Sequence, residues 1–205
     1  MYSLMLYGNI GNEWRGNMSV WFFLLACTST TEDSAADTAV VASEEVDPIT
    51  LIDPNDLPAS PTPCREPVLV DVNYVVDGDT IFVEGPNGEE KVRIIGVDTA
   101  EIGHNGDPDE CYAQEARVFL DEMIGDSKVW MTFDETCADV YDRTLAYVHT
   151  SVGSQGFVQR QILQQGMAPD FPFNDTPTFN ALFAEDAARA AQAGIGGWGA
   201  CGWSQ

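Results

Sequence analysis

The sequence predicts an α+β fold that is mainly β: a small closed barrel of five strands with three helices packed on it. Two observations carry this prediction. Segments with strand-like and helical apolar spacing follow one another in the order βββ-α-β-β-α-α, and turn residues punctuate them. A third observation is composition. The chain has 205 residues, 44% hydrophobic and 10% aromatic, enough to build one core and to exclude wholesale disorder.

Each element has its own signal. Residues 68–76 are rich in β-branched side chains with partial alternation, and Asp77-Gly78-Asp79 supplies a tight turn. Residues 80–84 lead into Gly85-Pro86-Asn87-Gly88, a hairpin signal with Asn-Gly at its end, and 91–97 form the third strand. Ala113, Ala116, Phe119, Leu120 and Met123 recur at helical spacing and Gly125 stops that helix. Residues 129–133 and 145–149 are the fourth and fifth strands. A second helix runs over about 157–165 and stops at Gly166. The third takes Thr176 as N-cap and Pro177 at its first position, with Phe179, Leu182, Phe183 and Ala187 on one face, and ends before Gly194. A five-stranded barrel with this order of helices is the pattern of an OB-fold.

Charge bounds the function. Acidic residues number 33 against 9 basic ones, a net charge of −24. Phosphate affinity comes from Lys and Arg, so a protein that holds nucleic acid by its overall field is excluded. Strong acidity fits a high-salt or oxidising extracellular setting, where it keeps a protein solvated.

No apolar run reaches the ~18 residues of a membrane-spanning helix. The run Ser19–Cys27 is short and uncharged and ends abruptly at Thr28-Ser29-Thr30-Thr31, which fits the core of a signal peptide. Leu24-Leu25-Ala26-Cys27 resembles the bacterial lipoprotein processing box, which implies that 1–27 are a signal peptide and that Cys27 carries lipid. Residues 28–63 contain Glu and Asp but no Lys, Arg or aromatic residue, and Pro48, Pro54, Pro58, Pro61 and Pro63 interrupt any helix or central strand. Such a segment buries too little apolar area to offset its ordering entropy. It is expected to be a disordered linker, with the folded domain over 64–205.

Three clusters carry chemistry. The first is Asp77-Gly78-Asp79-Thr80, at a turn. The second runs from Arg93 to Glu101 and places Asp98, Thr99 and Glu101 at a strand end. The third is Asp139-Val140-Tyr141-Asp142-Arg143-Thr144-Leu145-Ala146-Tyr147. Two carboxylates and a carbonyl make a hard oxygen site suited to Ca²⁺. Scarce arginines clamp phosphate oxygens bidentately, and a further carboxylate can deprotonate water. Together these groups suit phosphodiester hydrolysis.

These segments, in this order, resemble the staphylococcal (thermonuclease-like) nuclease family over roughly residues 66–200. The resemblance implies an OB-fold and a Ca²⁺-dependent nuclease acting on DNA or RNA. It implies Asp79, Asp98 and the Thr99 carbonyl as metal ligands, with Asp77 an acid behind them. Arg93 and Arg143 match the phosphate-binding and transition-state arginines, Glu101 the general base, and Tyr141 the tyrosine beside the bound nucleotide. Two positions depart from the family pattern: Ala100 stands for its Pro, and Asp142 for the Gly before the arginine. A carboxylate at 142 lies within reach of Arg143 and is expected to pair with it and slow the reaction.

The remaining acids Asp107-Pro108-Asp109-Glu110 read as a solvated loop, neither His104 nor His149 as a ligand, and the Trp198–Trp203 tail as a packed terminus. With Cys27 lipidated, four cysteines remain, and four allow three connectivities. Cys64 and Cys201 bracket the domain while Cys111 and Cys137 flank its middle, so the expected bridges are Cys64–Cys201 and Cys111–Cys137. The expectation is a monomeric, lipid-anchored or secreted protein of the bacterial cell envelope. The alternative is a catalytically weakened OB-fold binding module there.

Overall fold

The computed structural model describes residues 46–173 and 178–204. Five strands close a barrel in the order β1-β2-β3-β6-β5: β1 Val68–Val75, β2 Thr80–Gly85, β3 Gly88–Ile94, β5 Lys128–Thr132 and β6 Thr144–His149. Alternation explains the interior. Val70, Val72, Ile81, Val83, Val92, Ile94, Val129 and Met131 point inward and are buried. Helix α1 (Ala113–Ile124) links β3 to β5 across the barrel, and α2 (Val158–Gln164), α3 (Asn180–Ala193) and the short α4 (Gly197–Ala200) pack outside.

Strand β6 is buried on both faces, and its pairing with β3 is parallel, with Val92 opposite Thr144 and Arg93 opposite Leu145. Buried Gln159 of α2 meets its backbone, accepting from Val148 N at 3.2 Å and donating to Ala146 O at 3.2 Å.

The third strand departs from expectation in an informative way. It begins at Gly88, because Gly85 and Gly88 pair directly across the hairpin, and it ends at Ile94, just before Gly96. A Cβ on Gly96, whose φ is +86°, would lie 2.4 Å from the Phe183 ring. The chain therefore bends under α3, and residues Gly96–Val97 become β4, paired with β7 (Asp170–Phe171) in a separate two-stranded sheet. The bend carries Asp98 and Thr99 towards Asp79. Helix α3 starts at Asn180; Thr176 and Pro177, expected to begin it, lie outside the described residues.

The expected linker is partly folded. Short 3-10 turns at Pro48–Leu51 and Pro54–Asp56 are capped by the side chains of Asp47 and Asp53. Ile49 and Leu57 are buried, Trp130 Nε1 donates to Ile49 O at 3.0 Å, and Thr132 Oγ1 donates to Pro58 O at 2.8 Å. Two apolar anchors outweigh the acidic, proline-rich composition. Cys27 and its apolar run lie outside the described residues.

The disulfides are Cys64–Cys137 and Cys111–Cys201, correcting the expected Cys64–Cys201 and Cys111–Cys137. Strand register decides the first. Val68 pairs with Met131, so continuing the antiparallel ladder brings Cys64 close to the chain leaving β5, and Cys64 N donates to Asp134 O at 2.8 Å. The C-terminal tail then meets the start of α1, where Trp203 stands edge-on to Tyr112 with ring centroids 6.1 Å apart.

Candidate active site

The turn between β1 and β2 sets the first acids. Asp77 Oδ1 accepts from Asp79 N at 3.0 Å, the side chain closing its own turn. Gly78 is required there, since a Cβ would lie 2.6 Å from Thr99 Cγ2 and 2.8 Å from Ala116 Cβ. Asp79 is almost fully buried. Its Oδ2 accepts from Thr99 N at 2.8 Å and Thr99 Oγ1 at 3.0 Å, and pairs with Arg93 Nη1 at 2.6 Å. Arg93 Nη2 donates to Asp98 Oδ1 at 2.9 Å. One guanidinium thus bridges two carboxylates that the sequence separates by 19 positions. Burial pushes the Asp79 carboxyl up to about 7, against the pull of Arg93 and the Thr99 donors.

Glu101 follows on an exposed loop. Partial burial and the negative charges of Asp77, Asp98 and Glu110 outweigh Arg93 and raise its carboxyl above the usual range. The structure thus brings Asp77, Asp79, Arg93, Asp98, Thr99 and Glu101 into one cluster. Glu110, assigned from sequence to a solvated loop, has a second task. Its Oε2 accepts from Glu101 N and its own N donates to Glu101 O, each at 3.0 Å. Asp109 accepts from Gly103 N at 2.8 Å. A charged run gives no sign of such folding back.

Arg143 and Tyr141 lie on the loop entering β6, beside β3. Asp139 grips this loop: Oδ2 accepts from Arg143 Nε at 2.7 Å, and Oδ1 accepts from the N–H groups of Tyr141 at 2.9 Å and Arg143 at 3.0 Å. Although burial opposes it, these donors hold the Asp139 carboxyl below its usual range. Arg143 Nη1 and Nη2 make no hydrogen bond among the described residues, and its guanidinium sits 5.6 Å from the Tyr141 ring centroid. A pocket of about 420 Å³ opens here, bounded by Asp139, Tyr141, Arg143, Leu145 and Phe173.

Asp142 does not pair with Arg143, which corrects the expected brake. Its φ of 59° places it in the left-handed region and its side chain is exposed, so the partner of Arg143 is Asp139. Glycine's family position is thus filled by a residue that tolerates the same backbone.

A metal fits the donor chemistry. Asp79 and Asp98 offer hard oxygens, and Asp77, Glu101 and Glu110 add negative charge around them that Arg93 alone does not balance. No group of three or more His, Cys, Asp or Glu side chains in metal-holding geometry occurs among the described residues.

Comparison with known proteins identifies the family. The family model described as staphylococcal nuclease homologue matches residues 91–199, which takes in Arg93, Asp98, Glu101 and Arg143. A thermonuclease of Staphylococcus intermedius is 33% identical over 123 residues, covering 59% of this chain and 70% of that protein. A thermonuclease of Staphylococcus hyicus is 36% identical over 94 residues, 46% of this chain and 54% of its own length. Endonuclease YncB of Bacillus subtilis is 32% identical over 102 residues, 49% of this chain and 47% of that protein. With a barrel, an Arg-bridged carboxylate pair and a second arginine in the order the sequence motifs give, the chain belongs to the staphylococcal nuclease family and is a nuclease-type hydrolase.

Proposed function

We propose that this protein is a Ca²⁺-dependent nuclease of the cell envelope that hydrolyses phosphodiester bonds in DNA or RNA. The observation that carries the reading is the Arg93 guanidinium spanning Asp79 and Asp98 beside Glu101, whose carboxyl partial burial and neighbouring acids raise above its usual range. Asp79, Asp98 and the Thr99 carbonyl would hold the ion, with Asp77 fixing the turn beneath. Bound Ca²⁺ supplies positive charge against the phosphate and its developing negative charge. The two Nη groups of Arg143 clamp phosphate oxygens, joined by Arg93 once Asp79 and Asp98, which pair with its Nη1 and Nη2, turn to the ion; Tyr141 packs beside the nucleotide, and Glu101 takes the proton from the attacking water. Asp139 holds Arg143 by Nε alone, so phosphate can bind without displacing a carboxylate from the Nη groups. The exposure of Asp142 removes one of the two grounds for reading a weakened binding module, the other being the acidic charge balance.

Export and lipid anchoring through Cys27, as a monomer, complete the proposal. Two disulfides suit an oxidising compartment, and an acidic segment between Cys27 and the barrel suits a tether. Digestion of DNA and RNA by the full chain with Ca²⁺ or with chelator tests the activity. Cleavage that persists in chelator removes the metal from the account. Cys27→Ser is expected to shift the protein out of the membrane fraction or to block its processing; an unchanged distribution removes the anchor.

A further inference from the structure

The outer face of β1, β2 and β3 carries a row that the cluster above does not use. Tyr74 pairs across the ladder with Phe82, and Phe82 with Lys91. The Tyr74 and Phe82 rings stack with centroids 4.7 Å apart and planes 17° from parallel. Lys91 Nζ lies 5.8 Å from the Phe82 centroid on this face. Tyr74 is 50% exposed, and the β1–β5 ladder ends at Asp71, so it has no strand partner on its other flank. A stacked aromatic pair left open to water on a barrel face is costly surface unless something covers it.

Its position says what covers it. The next row on the same side of the strands is Thr80 and Arg93, which pair directly and lie buried beneath Asp98 and Thr99 at the edge of the acidic cluster. Two residues along a strand and two strands across put Tyr74 about 12 Å from the Arg93 backbone, within reach of a base in the same strand as a phosphate held by Arg93. Arg143 immediately precedes Thr144, which pairs with Val92 beside Lys91. In the opposite direction Glu84 faces Asp71 and Glu89, a row that repels phosphate. The side of the aromatic pair that does not repel phosphate is therefore the one towards the arginines. A chain of net charge −24 gains little from its overall field, so stacking is the route to affinity left to it.

We propose that Tyr74 and Phe82, with Lys91 at their rim, form a base-stacking subsite for an unpaired nucleotide adjoining the scissile phosphate. This deepens the proposed hydrolysis and rests on it for the placement of the phosphate. Every base has a face that can stack on Tyr74, so the subsite does not select by base identity.

The test is binding of a fluorescent single-stranded DNA of about 12 nucleotides in chelator, with hydrolysis of a small nitrophenyl phosphodiester in Ca²⁺ measured alongside. Tyr74→Leu and Phe82→Leu, each shown folded by its melting curve, are expected to raise Kd about five- to hundredfold. Tyr74→Phe is expected to retain wild-type Kd, and all three to retain wild-type rates on the small diester. A merely structural role for the pair moves the melting temperature and leaves Kd of the folded variants alone. Absence of wild-type binding, or an unchanged Kd in folded Tyr74→Leu protein, overturns the subsite. Stacking-dependent binding without hydrolysis of either substrate overturns the hydrolytic reading and leaves the subsite standing.

Discussion

At the scale of single residues, the informative contrast is between Asp139 and Asp142. Both flank the loop that presents Arg143, and adjacency in sequence favours Asp142. The loop instead returns on itself over four residues, so Asp139 takes the guanidinium Nε and two backbone N–H groups. Asp142→Gly is therefore expected to leave cleavage unchanged and to alter stability by no more than about 1 kcal/mol in the favourable direction, since glycine suits φ of 59° better. Steady-state cleavage and a thermal melt check this; a large activity gain contradicts it. Asp139→Ala is expected to lose about tenfold or more in kcat as Arg143 loses its orientation. Asp77, Asp79, Arg93, Asp98, Thr99 and Glu101 were legible because each stands in a dense motif at a strand end. The roles of Glu110 and Asp139 were not, because a carboxylate that folds back on its own loop looks in sequence like any solvated acid.

At the scale of elements, β-branched alternation located all five barrel strands, but two long-range facts escaped it. The break before Gly96 depends on Phe183, which arrives from α3, and the disulfide pairing depends on the register of β1 against β5. Peptide mapping under non-reducing conditions is expected to return Cys64–Cys137 and Cys111–Cys201. On the loop-entropy model each contributes roughly 4–5 kcal/mol, so reduction is expected to lower the melting temperature steeply. The seam between β5 and β6 also sets a pH response. His149 is fully buried against Phe157, and Thr132 Oγ1, which donates to Pro58 O, lies 2.8 Å from His149 Nε2. Burial lowers its pKa to about 3. The unfolded chain takes up a proton near its ordinary ~6.5 and the folded one does not, so stability present above that value is lost as pH falls towards 3. In denaturant unfolding between pH 7 and 4.5, wild-type stability is expected to fall by a few kcal/mol relative to His149→Phe, the opposing gain from the raised Asp79 carboxyl being common to both proteins. An equally steep loss in that variant assigns the effect elsewhere.

For the whole molecule, charge and fold pull in different directions. The net charge of −24 excludes long-range attraction of nucleic acid, while the barrel concentrates Lys91, Arg93 and Arg143 on and beside one face. About three phosphate contacts give a dependence of log K on log salt no steeper than about −2 for single strands. A slope several times steeper in a salt titration of oligonucleotide binding would mean that a wider basic surface exists. The central claim is that the Glu101 carboxylate beside the Arg93-bridged acids takes the proton during phosphodiester hydrolysis. The most direct measurement is the single-turnover rate of DNA cleavage in Ca²⁺ for the wild type and for Glu101→Gln with a matched melting temperature. The account predicts cleavage by the wild type and a fall of about 10²–10³ in the variant; equal rates in the two proteins would contradict it.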